Sequence, residues 1–198
     1  MGLNLDHSDG QTPLDEDEKE GLLIPTISTR GELDEFEQQN IEQALLWLKG
    51  RSLRAEAILS EKFIKSVHKH MYSDVWRWAG TFRKTDKNIG VEKWQIPVEL
   101  RTLIDDTNFW IEHHEYDADE IAIRFKHRIV TIHCFPNGNG RHSRLMADII
   151  IESIFGLPVF TWGAGKANNK GTNRELYLST LKAADRGDLK PLIQFARS

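Results

Sequence analysis

The stretch His133-Cys134-Phe135-Pro136-Asn137-Gly138-Asn139-Gly140-Arg141-His142-Ser143-Arg144 lies between two runs of helical spacing. Upstream, Ile121, Phe125, Ile129 and Ile132 recur at the interval of one helix face over residues 118–132. Downstream, residues 141–155 contain Met146-Ala147-Asp148-Ile149-Ile150-Ile151, the pattern of a helix buried on several sides. Glycines at such a junction permit positive φ and let a ligand approach backbone N–H groups closely. The start of the second helix adds unpaired N–H groups and the positive end of its dipole, which together favour an anion. Arg141 and Arg144, three apart, share a face at that end. Two guanidiniums beside a backbone nest point to phosphate. His133 stands just ahead of the nest, and an imidazole with an ordinary pKa of roughly 6.5 accepts a proton near neutral pH. Phe135 alternates with it and is expected to turn inward and fix the loop. Neither the Walker spacing nor Gly-x-Gly-x-x-Gly occurs, which sets the common nucleotide-binding folds aside.

Outward from this loop the chain reads as mainly α. A Ser28-Thr29 cap before Glu32 opens a helix that carries Phe36, Ile41, Ala44, Leu45 and Leu48 and stops at Gly50. Phe63, Ile64, Val67 and Met71 predict a helix over residues 60–71, and Leu100, Leu103, Ile104 and Trp110 one over 98–113. Residues 173–184 and 191–196 close the series. Between Trp78-Ala79-Gly80 and Pro97 the character changes: Thr81, Phe82, Thr85, Ile89, Val91 and Trp94 surround Gly90, which predicts a short β-hairpin flap. Residues 1–27 form an acidic arm with little helix of its own, pinned to a domain over 28–198 by Leu22, Leu23 and Ile24.

The chain has 198 residues, 39% hydrophobic, and a formal charge of -4, without the basic face of a general nucleic-acid binder. No apolar run approaches the roughly 20 residues of a membrane span, and no signal-peptide pattern opens the sequence. The single cysteine, Cys134, excludes an internal disulfide framework. A cytoplasmic protein is expected, with no membrane and no direct nucleic-acid partner.

The loop resembles the signature of Fic proteins, His-x-Phe-x-(Asp/Glu)-Gly-Asn-Gly-Arg-x-x-Arg, and residues 133–144 match it at every fixed position except Asn137. Trp78-Ala79-Gly80, then Arg83 and Ile89, follow the family's order as well, so the resemblance covers about residues 30–198. Glu20-Gly21-Leu22 and Thr29-Arg30-Gly31-Glu32-Leu33 are similar to a subgroup called mobile mystery protein B, whose members tend to be encoded beside a small helix-turn-helix protein, a possible partner. The resemblance implies a protein nucleotidyltransferase that moves AMP from ATP to a Ser, Thr or Tyr hydroxyl of a protein target, with Mg²⁺. His133 would be the general base. Gly138, Asn139 and Gly140 would hold the α- and β-phosphates. Arg141 would bind the β-phosphate and support the leaving group, so that His133, Asn139 and Arg141 form the catalytic set. Arg144 would take the γ-phosphate. The flap residues Lys87, Asn88, Ile89, Gly90 and Val91 would dock the target by strand addition.

Asn137 stands where the family has the carboxylate for Mg²⁺, and an amide is a weaker ligand for a hard cation. The ion would then be held mainly by phosphates and water. Two alternatives stay open: transfer of UMP or another phosphate-containing group by the same loop, and a catalytically weak nucleotide-binding regulator. The family's self-inhibitory motif, Ser or Thr followed four residues later by Glu and then Gly or Asn, is nearest matched by Glu16 to Glu20-Gly21, making Glu20 the candidate partner of Arg144. Tyr177 is a candidate to stack on the nucleotide, with core packing the equal alternative, and the polar loop of residues 166–173 is expected to border the base. Trp47, Trp76, Trp78 and Trp110 are assigned to the core and Trp94 to target contact. His68, His70, His113 and His114 are read as surface residues.

Overall fold

The computed structural model describes residues 16–164 and 170–198, with the side chains of 17 and 170–172 outside the description. Of the polar loop assigned to the nucleotide base, residues 166–169 fall outside the description and 170–173 are helical rather than loop. The architecture is mainly helical: α1 (Glu16–Lys19), α2 (Arg30–Leu48), α3 (Ala55–Ile58), α4 (Glu61–Tyr72), α5 (Ile96–Glu112), α6 (Ala118–Ile132), α7 (Asn139–Ser153), α8 (Lys170–Asp185) and α9 (Lys190–Ala196).

Local chemistry starts these helices where the sequence indicates. Thr29 accepts the Glu32 N–H at 3.3 Å while the Glu32 carboxylate takes the Thr29 N–H at 2.9 Å, a closed capping box worth about 1 kcal/mol. Ser60 caps α4 by accepting the Phe63 N–H at 3.2 Å. Pro97 sits in the first turn of α5, where its missing N–H costs nothing.

The core is built around α7, whose Met146, Ala147, Ile149, Ile150 and Ile151 are all buried, as the apolar run predicts. It packs against α6 through Phe125 and Ile129, and against α4, which contributes Ile64, Val67 and Met71. Leu100 and Leu103 of α5 complete the interior. Residues 1–15 of the arm lie outside the described residues; further on, Leu22 bridges Trp76, the Leu23 N–H donates to the Val75 carbonyl at 2.9 Å, and Ile27 is buried. Among the described residues no helix is long and apolar enough to cross a membrane.

Three expectations are corrected. The flap over residues 81–95 has no strand; the isolated bridge Leu22–Trp76 is the β pairing among the described residues. Its carbonyls are used otherwise, because the Arg83 guanidinium lies inside the flap and donates to the carbonyls of Thr85 (2.8 Å) and Val91. The Lys93 N–H likewise goes to a side chain, Asp86 Oδ1, at 2.7 Å. His68 is fully buried rather than on the surface, since it shares the inward face of α4 with Ile64 and Met71. His70, half-buried, stacks on Trp47 at 3.7 Å. Trp110 is half-buried at the edge, against Tyr116 and Arg128, and not among the core residues.

Candidate active site

The loop between α6 and α7 is held from beneath by aromatic rings. Phe135 is buried and stacks on His68 with centroids 3.7 Å apart, while His142 meets both rings edge-on at 5.1 and 5.5 Å. The Gly80 N–H donates to His68 Nδ1 at 3.0 Å, so the ring carries its proton on Nε2 and donates it to the Asn137 carbonyl at 3.0 Å. One buried histidine thus ties the Trp78-Ala79-Gly80 turn to the loop. Sequence reading missed it, although Ile64, His68 and Met71 fall at the spacing of one helix face.

Asn139 closes the loop rather than reaching outward. Its Oδ1 accepts the Phe135 N–H at 3.0 Å and its Nδ2 donates to the Phe135 carbonyl at 2.7 Å. Gly138 precedes it with φ +77°, and a Cβ there would lie 2.5 Å from the Tyr72 ring, so position 138 admits only glycine. α7 consequently starts at Asn139, two residues before the sequence suggests. The first main-chain bond of the helix runs from the His142 N–H to the Gly138 carbonyl, which leaves the N–H groups of Asn139, Gly140 and Arg141 without an acceptor in their own helix. A Cβ on Gly140 would meet nothing within 4 Å, so the side-chain position of Gly140 is open. Unpaired N–H groups at the start of a helix are donors suited to an anion.

His133 ends α6 in the left-handed region (φ 58°, ψ 59°), a conformation uncommon outside glycine and held here by its surroundings. Arg83 donates Nε to the His133 carbonyl at 2.7 Å, and the Arg83 N–H bonds the Cys134 carbonyl at 2.9 Å. Burial, then the nearby Arg83 charge, brings the His133 imidazole down to about 4. It is therefore neutral at physiological pH, the state a proton acceptor requires. Cys134, also buried, is pushed up to about 12 by desolvation and is inert as a nucleophile.

The two arginines of the loop are held differently. Arg141 donates to Glu37 of α2 at 2.5 Å and lies 5.2 Å from the Tyr72 ring centroid. Arg144 lies over the Tyr177 ring at 5.6 Å and makes no ion pair among the described residues. Tyr177 is half-buried, faces Phe195 at 5.6 Å, and shields the Nζ of the buried Lys126 at 4.7 Å on the same ring. Its ring borders Arg144 on one side and serves packing against Phe195 on the other.

The flap covers His133. Gly90 lies against it, the Val91 N–H reaches the Ile132 carbonyl at 3.4 Å, and Ile89 and Trp94 (70% exposed) face outward. Lys87 is not available to a target, because its side chain is buried in an ion pair with Glu18 at 2.5 Å. The arm thus fastens the flap through Glu18. Glu20 lies exposed at the end of α1, and the structure does not bring it to Arg144.

The donor set does not suit a protein-held Mg²⁺ ion. Asn137 turns its Oδ1 back to the Gly138 N–H at 2.6 Å, and the buried carboxylate of Glu37 is engaged by Arg141. Among the described residues no group of three or more His, Cys, Asp or Glu could hold a metal.

The central helix of this helical domain opens in a glycine nest flanked by two arginines and a neutral histidine, a set of groups able to meet a phosphate. The family model of Fic/DOC proteins matches residues 58–151, and the chain carries a Fic/DOC domain. It is 22% identical over 159 residues to protein adenylyltransferase Fic of Aedes aegypti, covering 78% of this chain and 30% of that protein. To the protein of the same name from Nematostella vectensis it is 23% identical over 167 residues, covering 82% and 37%. The chain thus spans about a third of the length of these relatives. Among solved structures, Fic-1 from C. elegans superposes with a TM-score of 0.69 at 24% identity, over 90% of this chain and 51% of that one. The BepC protein of Bartonella tribocorum, solved with bound AMPPNP, gives 0.66 at 15% identity over 92% and 97%. These likenesses establish the fold.

Proposed function

We propose that this chain is a protein adenylyltransferase, moving AMP from ATP to a Ser, Thr or Tyr hydroxyl of a protein target. The observation that carries the reading is the neutral imidazole of His133 at the mouth of the α7 nest, beside an arginine with no ion-pair partner among the described residues. The relatives named protein adenylyltransferase and the AMPPNP-bound BepC support it. The domain responsible extends over residues 28–198.

The triphosphate lies on the N–H groups of Asn139, Gly140 and Arg141, with Arg144 on its terminal phosphate. The target hydroxyl oxygen attacks the α-phosphorus while His133 accepts the hydroxyl proton. A bond forms between that oxygen and the α-phosphorus, and the bond from the α-phosphorus to the bridging oxygen breaks. Its electron pair leaves with pyrophosphate, whose growing charge Arg141 meets. The flap presents the target through its outward residues Asn88 and Ile89, whereas Val91 turns its N–H to Ile132, its carbonyl to Arg83 and its side chain to the core.

A second reading, a weak or regulatory nucleotide binder, is favoured by Asn137, whose amide is neutral and bonded within its own loop. Intact-mass spectrometry after incubation with ATP and Mg²⁺ separates the two. An AMP-sized adduct on the wild type that His133→Ala lacks supports transfer. Nucleotide binding without an adduct supports the regulator, and an adduct with UTP alone reassigns the nucleotide.

A further inference from the structure

Glu37 is a carboxylate with no exposed surface, placed on α2 a long way in sequence from the phosphate loop. Its two oxygens have two fixed partners. Oε1 accepts the indole N–H of Trp76 at 2.7 Å, and Oε2 accepts from Arg141 Nη2 at 2.5 Å. The indole nitrogen can only donate, so Trp76 dictates which oxygen is left to face Arg141. Tyr72, whose ring bounds both Arg141 and Gly138, closes the other side. The guanidinium is thereby fixed at one edge, while the Arg141 side chain remains 30% exposed. Of its five donors, this contact engages Nη2. Arg144, one turn further along the same face, has no such anchor.

We infer that Glu37 is a positioning residue for the transfer reaction: anchored by Trp76, it holds Arg141 in the orientation that meets the departing diphosphate. This rests on the transferase reading above. The contact is a scaffold rather than a restraint, because Glu37 is locked in the core and can neither swing away nor be withdrawn without unpacking α2. A restraint would need a releasable carboxylate, and it would occupy the donors a nucleotide must reach. Orientation of a charged donor acts on the transition state more than on substrate binding, since the nest and Arg144 already hold the triphosphate.

The test uses the full chain and the isosteric Glu37→Gln variant, with melting curves to confirm folding. First, proton–nitrogen spectra are recorded of the arginine side chains. Beside the buried Arg83 guanidinium, which donates to the carbonyls of His133, Thr85 and Val91, the wild type is expected to show a slowly rotating guanidinium that Arg141→Lys removes and Glu37→Gln loses; survival of that Arg141 signal in Glu37→Gln overturns the inference. Second, ATP turnover is measured by pyrophosphate release. Glu37→Gln is expected to lower kcat at least about tenfold with KM for ATP within about threefold. An unchanged kcat overturns the positioning role, and a raised kcat replaces it with restraint. Should Glu37→Gln fail to fold, Trp76→Phe carries both measurements with a smaller expected loss of kcat. If neither the wild type nor Asn137→Asp turns over ATP, the transferase reading fails, and the guanidinium spectrum still decides whether Glu37 holds Arg141.

Discussion

A Cβ placed on Gly90 would sit 2.6 Å from the Cβ of His133, 3.0 Å from the Arg83 guanidinium and 3.2 Å from the Ile132 carbonyl. The flap and the base therefore share one contact surface with no room for a methyl group. Gly90 also has φ +98°, which an L side chain rarely adopts. Gly90→Ala is expected to lift the flap from His133, costing about 1 kcal/mol or more in stability. Adduct formation should fall by more than the melting temperature alone explains. Thermal melts and mass spectrometry on the same preparation check this; a variant with full activity would show that flap closure is not needed.

The buried histidines give the fold an acid limit. Desolvation brings His142 down to about 4 as it does His133, and drives His68 below its ordinary value as well. In the unfolded chain each returns to about 6.5. Above that pH both states are neutral and these groups leave stability unchanged. As pH falls from about 6.5 towards 4 the unfolded chain takes up protons first, so stability drops by about 1.4 kcal/mol per unit for each histidine. Melting temperatures from pH 7.5 to 4.5 should decline through this window. His142→Gln, which keeps a donor for the Ile64 carbonyl, should flatten the decline by about one proton. The same shift leaves the base unprotonated at pH 6, so the transfer rate should show no inflection near 6.5 from His133.

His68 offers a sharper structural test because both of its nitrogens are used. His68→Phe keeps the stack on Phe135 and strands the Gly80 N–H and the Asn137 carbonyl. Two buried groups left without partners should cost about 2–6 kcal/mol. The phosphate loop should loosen with it, weakening nucleotide binding measured by calorimetry. Unchanged stability would mean that water replaces both contacts.

Most of this architecture was legible because periodicity and glycine placement report directly on helices and their junctions. The apolar face of α6 and the run Met146 to Ile151 located the two helices that carry the loop, and α6 spans the residues expected. What escaped the reading depends on contacts between distant segments. The flap looked like a hairpin because Thr85, Ile89 and Val91 favour strands, yet Arg83 captured the carbonyls that a ladder would use. Glu37 appeared as one acidic residue on an acidic helix, and only the folding of α2 beside Trp76 and Arg141 gives it a place. Lys87 reads as outward from its position in the flap, whereas the arm brings Glu18 onto it. A helix face is written in neighbouring residues, whereas an ion pair across the fold is not.

Asn137 is where sequence and structure meet most directly, and Asn137→Asp tests both. The aspartate can keep the bond to the Gly138 N–H that the amide oxygen now makes at 2.6 Å. It also places a negative charge at the positive end of α7, which favours the fold by about 0.3–1 kcal/mol. The variant should therefore melt at or slightly above the wild-type temperature. Its chemistry should change more, because a carboxylate beside the nest supplies the hard oxygen ligand that the described residues otherwise lack. Adduct formation by Asn137→Asp should exceed that of the wild type at low magnesium and be abolished by EDTA. The wild type should respond less steeply to magnesium, since its residues offer the ion only a neutral amide. Equal rates and equal magnesium dependence in the two proteins would show that position 137 does not govern the metal. The neutral loop would then be a fully competent form of this site.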